Sequence, residues 1–308
     1  MIVTHDLVKT FKRRTLKKEK KYEEITAVDR LNLTINKGDI FGLIGPNGAG
    51  KTTTSKILST LILPDGGKAI VNNFDVLEQP EKVRENIGLL SGEYTRSLYW
   101  RLSGFENLRF FARLRNMWNA EGRINQLIEM FHLQDQKNEL VMKYSTGMKH
   151  KLALAVGLLH DPPVLILDEP LTGIDPVTAF EIKELVKTQF EDKTIVWASH
   201  NLYEIEQMCN KIALINNGKI AIQGSPDDLK KDYWDHTKIV VTCTNPDIFT
   251  SINNVEIDGK VAIIKTIDIQ KTLGNITLLA LRNNVTIFDI KTMKPTLEDI
   301  FMKGVKNV

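Results

Sequence analysis

An α/β fold with a mainly parallel central sheet is predicted by three features of the 308-residue sequence. Residues 40–44, 164–168 and 194–198 are short, almost wholly apolar runs, the pattern of strands buried on both faces. Stretches with helical spacing lie between them, and strands alternating with helices build parallel sheets. Apolar residues make up 42% of the chain, enough for a sizeable core.

Taken in order, residues 28–35 (Val28, Leu31, Leu33, Ile35) form an imperfect amphipathic strand, and Ile40 to Ile44 a buried one. A glycine-rich turn follows, then a helix carrying Ile57, Leu58 and Leu61 that ends at Pro64-Asp65-Gly66-Gly67. Residues 102–132 mix apolar and charged positions at helical spacing and make two or more helices. They belong to a helical subdomain, about 95–160, inserted into the α/β pattern. Strand 164–168, a helix over roughly 176–191 and strand 194–198 complete the core. Near residue 233 the character changes: 238–243 and 284–291 alternate like strands, and 295–303 is helical after Pro295. This places one domain over 1–234 and a small α+β domain over 235–308, with no internal repeat.

Bulk properties narrow the function classes. A net charge of +3 gives no case for a nucleic-acid binder. Cys209 and Cys243 match no metal spacing and suggest a reducing compartment. Met1 to Asp6 lacks the basic-then-apolar form of a signal peptide, and no apolar run approaches the roughly 20 residues that span a bilayer. A soluble chain is expected, reaching a membrane only through a partner. The basic segment Lys12–Lys21 reads either as a solvated loop or hairpin tip, or as a contact for an anionic membrane surface.

Gly45-Pro46-Asn47-Gly48-Ala49-Gly50-Lys51-Thr52 fits the P-loop pattern, with a buried strand before it and a helix after it. Its glycines let the backbone fold tightly and aim N–H groups at phosphates, and the helix adds its positive end. Lys51 supplies a charge for the β- and γ-phosphates, Thr52 a hydroxyl for Mg²⁺, and Thr53 a further phosphate contact. Asn47, Gly48 and Gly50 line the cradle. Asp168 ends an apolar strand, where a carboxylate can hold Mg²⁺ through water, and the adjacent Glu169 can orient or deprotonate the attacking water.

The remaining motifs carry a family resemblance. Tyr144-Ser145-Thr146-Gly147-Met148 resembles the ABC (ATP-binding cassette) signature, usually Leu-Ser-Gly-Gly-Gln, in a degenerate form. His200, in Ala198-Ser199-His200, is similar to the family's switch histidine, and Gly173-Ile174-Asp175-Pro176 to the loop usually written Ser-Gly-Leu-Asp. The resemblance covers residues 2–232 and implies a P-loop NTPase ABC cassette: a mainly parallel sheet core, an antiparallel β part and the inserted helical subdomain. It also implies ATP and Mg²⁺ as ligands. Taken alone, Ser145 is a plain helix N-cap. In the family, the counterparts of Ser145 and Gly147 reach the γ-phosphate of ATP held by a second subunit, so two nucleotides join two chains. The resemblance further implies that His200 contacts the γ-phosphate beside Glu169, that Asp175 touches the opposing subunit, and that an aromatic residue shortly after the first strand stacks on adenine. Phe11 is the choice for that role, with Tyr22 as the alternative. The family's Q-loop glutamine position falls on Gly92, and Glu93 is expected to substitute near the metal. Ser97-Leu98-Tyr99-Trp100-Arg101-Leu102 lies where the family receives a helix of its membrane partner; Tyr99 and Trp100 equally suit the interior of the helical subdomain.

Pro295-Thr296-Leu297-Glu298-Asp299-Ile300-Phe301, with the motifs above, is similar to the detached ATPase subunits of prokaryotic exporters that pair with ABC-2 type membrane proteins. The Gly-Glu beside Leu-Tyr-Trp-Arg-Leu is most like the sodium-efflux subgroup. This resemblance implies a homodimer or heterodimer of cassettes at the cytoplasmic face of the cell membrane, peripheral to an ABC-2 type permease, with no nucleic-acid partner. Residues 235–308 would contribute dimer contacts or regulation. The alternative is a soluble ABC ATPase acting on ribosomes or nucleic acid; those usually carry two cassettes or a long coiled-coil insert, and this chain has one P-loop and one signature.

Overall fold

The computed structural model describes residues 1–14, 22–92, 97–233, 237–293 and 296–306. The chain divides into two compact units, Met1–Gly224 and Ser225–Asn307.

Two sheets build the first unit. Strands β1 (Ile2–Arg14) and β2 (Tyr22–Ile35) form a long antiparallel hairpin, paired from Ile2 opposite Ile35 to Arg14 opposite Tyr22 with three register shifts between Thr4 and Thr10. β2 thus begins well before the expected Val28, because its first half pairs with β1 while remaining exposed. On the other side of β1 runs β4 (Gly66–Val71), followed by the short β5 (Phe74–Asp75). The second sheet has the order β10-β9-β3-β8-β7-β6. Its parallel strands are β3 (Ile40–Ile44), β6 (Ile87–Leu90), β7 (Val164–Asp168), β8 (Thr194–Ser199) and β9 (Lys211–Asn216). An antiparallel edge strand, β10 (Lys219–Gly224), closes it. Every residue of β7 and β8 is buried, the origin of their largely apolar sequence.

Helix α1 (Lys51–Leu58) touches β7 and β8 of one sheet and β2 and β4 of the other. Its Ile57 and Leu58 join a single core with Ile2, Leu31, Leu43, Ile166 and Val196. Around the parallel sheet lie α2 (Pro80–Asn86), α6 (Pro176–Gln189) and α7 (Leu202–Met208). The helical part comprises α3 (Gly104–Leu114), α4 (Glu121–Met130) and α5 (Thr146–Gly157). A capping box of Ser103 and Glu106 starts α3. The apolar side of α5 is broad, with Leu152 and Ala155 fully buried. Ala153 and Leu154 are buried as well, because α5 touches α3 and α4 and also β6.

The second unit starts with α8 (Pro226–Tyr233), which packs on α10 (Leu297–Lys306). That contact assigns α8 to this unit and moves the division ahead of the expected residue 234. Between them, β11 (Thr237–Cys243), β12 (Val255–Asp258), β13 (Val261–Thr266) and β14 (Ile287–Met293) form an antiparallel sheet of order β12-β13-β11-β14. Helix α9 (Ile269–Arg282) places Ile276 in a core with Ile239, Val241, Phe249 and Ile264.

Candidate nucleotide site

The turn after β3 wraps into α1 through Gly50, whose φ of 114° no L side chain adopts readily. A Cβ there would lie 2.3 Å from the carbonyl oxygen of Ala27 on β2. Asn47, Gly48 and Thr52 stand exposed at the lip, while Lys51 is 5% exposed at the base. The Lys51 ammonium donates to the carbonyls of Gly45 at 2.7 Å and Pro46 at 3.3 Å. Burial pulls its pKa below the usual lysine range, and the carboxylates of Glu169 and Asp168 oppose that pull.

Asp168 closes β7 with its carboxylate turned to α1, where the Thr52 hydroxyl donates to Oδ1 at 3.2 Å. Burial raises the Asp168 pKa; the Thr52 bond holds it back. These are hard oxygen donors side by side, the donor type Mg²⁺ takes, with phosphates and water left to complete an octahedron. Among the described residues no group of three His, Cys, Asp or Glu side chains could hold a metal alone.

Glu169 adopts a left-handed φ of 52°, which swings its side chain across the end of β8. Its N–H donates to the Ala198 carbonyl at 2.8 Å. Its carboxylate lies 2.8 and 2.9 Å from Nδ1 of His200, accepts the His200 backbone N–H at 3.2 Å, and accepts the Thr172 hydroxyl at 3.0 Å. Lys51, Thr52, Asp168, Glu169 and His200 are thus brought to one end of the parallel sheet. Gly92 reaches the same place: a Cβ there would lie 3.8 Å from the Asp168 carbonyl oxygen and 4.0 Å from Glu169 Cβ. Its neighbour Glu93 lies outside the described residues.

Ser145 caps α5, accepting the Met148 N–H at 3.2 Å, and is itself exposed. Gly147 is buried against α6, where a Cβ would meet Thr178 Oγ1 at 2.6 Å. Asp175 caps α6, accepting from Val177 N–H at 3.1 Å, Thr178 N–H at 2.9 Å and the Thr178 hydroxyl at 2.7 Å. The Thr178 bonds hold its carboxyl below the usual range. Phe11 lies within β1 rather than after it, opposite Ile25, because the strand runs on to Arg14. The residue is 39% exposed.

Residues 28–172 match the family model described as ABC transporter. The ABC transporter ATP-binding protein NatA of Bacillus subtilis (strain 168) is 36% identical over 212 residues, covering 68% of this chain and 86% of its own length. The daunorubicin resistance ATP-binding protein DrrA3 of Streptomyces coeruleorubidus is 32% identical over 294 residues and 92% of each chain. The chain belongs to the ABC transporter family. It is an ATPase of that family, as its motifs led one to expect. An ATP-binding cassette in a dimeric post-hydrolysis state, bound to ADP and Pi, superposes with a TM-score of 0.63 over 73% of this chain and 98% of its own, at 22% identity. At that identity the likeness establishes the fold.

Within the ABC cassette, several residues act that no motif spacing marks. Thr172 holds the Glu169 carboxylate from one turn along the chain. Asn107, fully buried, accepts the Tyr99 N–H at 2.8 Å and donates to the carbonyls of Tyr99 at 2.9 Å and Ser103 at 2.9 Å. It thereby props up the segment bearing Tyr99 and Trp100, which are 49% and 53% exposed. Tyr99 packs edge-on to Phe110, and Lys149 lies over the Trp100 ring. Both aromatic residues sit at the surface of the helical part rather than in its interior.

Proposed function

We propose that this chain powers export through a separate ABC-2 type membrane protein, with ATP joining two cassettes and hydrolysis releasing them. The observation that carries this reading is the Glu169–His200 pair beside Thr52 and Asp168. No helix among the described residues is long and apolar enough to cross a membrane. In this reading the translocation path belongs to the partner, and the cassette sits at the inner face of the membrane. The names of relatives support export: DrrA3 is a daunorubicin resistance ATP-binding protein, and BcrA of Enterococcus faecalis, 32% identical, a bacitracin transport ATP-binding protein.

Residue roles follow from chemistry. The backbone of Asn47, Gly48 and Gly50 and the hydroxyl of Thr53 bind phosphate oxygens. Lys51 exchanges its carbonyl acceptors for the β- and γ-phosphates. Thr52 and Asp168, together with Glu93 as the sequence suggests, would hold Mg²⁺, which when bound neutralises charge developing on the phosphates. His200 leaves Glu169 for the γ-phosphate, and the released carboxylate takes the proton of the attacking water. The exposed Ser145, with Gly147 behind it, offers a helix N-terminus to the nucleotide of a second cassette. Asp175 lies beside that interface. Strand register favours Phe11 over Tyr22 for adenine. Ile25, opposite Phe11, is two residues from Ala27 at the cradle, about 7 Å along the strand, whereas Tyr22 is about 17 Å away. Exposed Tyr99 and Trp100 suit the membrane partner.

The test is Glu169→Gln, which fills the same space without taking a proton. ATP binding should persist, hydrolysis should fall by roughly 10²–10⁴-fold, and the chain should elute as a dimer with Mg-ATP. A variant that stays monomeric at saturating Mg-ATP and turns over normally removes this reading.

A further inference from the structure

His200 stands between two anchored neighbours. Ser199, before it, is the buried last residue of β8, and it pairs with Ile44, the last residue of β3 before the cradle. Asn201, after it, caps α7: its side-chain oxygen accepts the Tyr203 N–H at 3.1 Å and the Glu204 N–H at 3.3 Å. One carboxylate joins the two neighbours. Glu204 Oε2 accepts the Ser199 hydroxyl at 3.1 Å, and Oε1 accepts the Asn201 side-chain amide at 3.0 Å. The Ser199 oxygen in turn accepts the Asn201 backbone N–H at 3.1 Å. The polar groups on both sides of His200 therefore close on a single half-buried side chain.

The helix that carries Glu204 is itself seated on the parallel sheet. Ile205, next along α7, is fully buried over Gly42 of β3, where a Cβ would lie 2.8 Å from Ile205 Cγ2. A larger residue at position 42 would push α7 off the strand that leads into the P-loop. A carboxylate drawn out of water costs stability unless its oxygens find donors. Burial does raise the Glu204 pKa, and the Ser199 bond holds it back. Here both oxygens are spent on the residues that flank the histidine. The bonds His200 makes to Glu169, from its ring at 2.8 Å and its N–H at 3.2 Å, are of another kind. They involve His200 itself, and in the reading above the ring gives its own up when it turns to the γ-phosphate. The Glu204 bonds leave the ring free and can persist through that turn.

We propose that Glu204 is a positioning residue: its carboxylate clamps Ser199 and Asn201, so that the His200 backbone stays fixed while the ring exchanges Glu169 for the γ-phosphate. The inference rests on the role of His200 proposed above and adds the pivot on which that ring turns. Without the clamp the peptides on either side of His200 loosen, and the ring meets the phosphate out of line. A misplacement of about 1 Å in such a contact costs up to about a hundredfold in rate.

The test measures steady ATP hydrolysis by the full chain carrying Glu204→Ala, Glu204→Gln or Asn201→Asp, with His200→Ala alongside. Alanine removes both acceptors. Glutamine keeps the volume, one acceptor oxygen and a donor that can turn to the Ser199 oxygen. Asn201→Asp keeps the oxygen that caps α7 but sets a second carboxylate against Glu204 in place of the amide. The alanine variant should lose between about tenfold and a hundredfold in kcat, with KM for ATP within about twofold of wild type. The glutamine variant should recover most of that loss. Asn201→Asp should lose at least about fivefold in kcat, again with KM little changed, and it decides the matter should the alanine variant fail to fold. Wild-type kcat in Glu204→Ala or in Asn201→Asp overturns the proposal. So does an equal loss in the alanine and glutamine variants, or a loss confined to KM. If His200→Ala turns over like wild type, the role of His200 fails first; if it is slow while Glu204→Ala is normal, only the clamp fails.

Discussion

At Gly50 two demands meet in one residue: a φ of 114° and a carbonyl oxygen 2.3 Å from where a Cβ would stand. Gly50→Ala should cost about 2–4 kcal/mol, from backbone strain plus the displaced Ala27 carbonyl. It should also weaken nucleotide binding, since the same backbone lines the cradle. A thermal melt and a fluorescent-nucleotide titration check both, and an unshifted melt would show that β2 yields freely. Gly50, Lys51, Thr52, Asp168 and Glu169 were legible in the sequence because local spacing encodes them: cradle residues are chain neighbours, and the acid pair ends an apolar run. The contacts that complete the site were not legible. Glu169 meets His200 from 31 positions away and Thr172 from three. A lone histidine or threonine carries no periodicity to announce its partner. Asp175 shows another limit, since its carboxylate caps its own helix, a role the loop motif does not express.

Among the elements, buried strands and amphipathic helices announced themselves, while bulged or polar ones did not. β3, β7, β8 and α6 follow the expected spans closely because burial on both faces, or a helical stripe, fixes their composition. β1 changes register between Thr4 and Leu7, Leu7 and Lys9, and Lys9 and Thr10, which breaks the two-residue alternation a strand is read by. α9 contains Gly274 and several β-branched residues, poor helix formers. It is set by its Asp268 cap, which accepts the Lys271 N–H at 2.9 Å, and by burial of Ile276 and Ala280. α3 is the element whose internal chemistry reaches outward, because Asn107 holds the 99–103 segment by its amide. Asn107→Ala leaves the Tyr99 N–H and the carbonyls of Tyr99, Leu102 and Ser103 without that amide. It should lower stability by about 2–3 kcal/mol and expose the chain near Tyr99 to proteolytic cutting. A urea midpoint indistinguishable from wild type would show that water replaces the amide at no cost.

At the scale of the molecule, the described residues include one core around the two sheets and α1 and another beneath α9, with no residue in common. Acid should act on the first through His160. Its Nε2 lies 2.9 Å from the Ile87 carbonyl, and burial together with the Arg115 cation pushes its pKa down to about 4. In the unfolded chain the same ring protonates near 6.5. Between these values the unfolded state binds the extra proton and the folded state does not. Stability is therefore full above pH 6.5 and falls as the pH drops towards 4. Discounted for partial exposure of the ring, the loss at pH 4 is on the order of 2 kcal/mol. Asp161 next to it is held low by Lys193, so its contribution disappears only at more acid pH and does not blur this window. Trp197, fully buried in β8, reports unfolding of the first unit by its fluorescence. Urea midpoints followed by that signal should drop between pH 7 and pH 4.5. His160→Asn, which keeps a donor for the Ile87 carbonyl but takes no proton, should remove about half of the drop, since His150 titrates in the same range. An asparagine variant with the full wild-type pH slope would mean that the folded ring protonates freely, and the tight packing of His160 between the end of α5 and β6 would have to be redrawn.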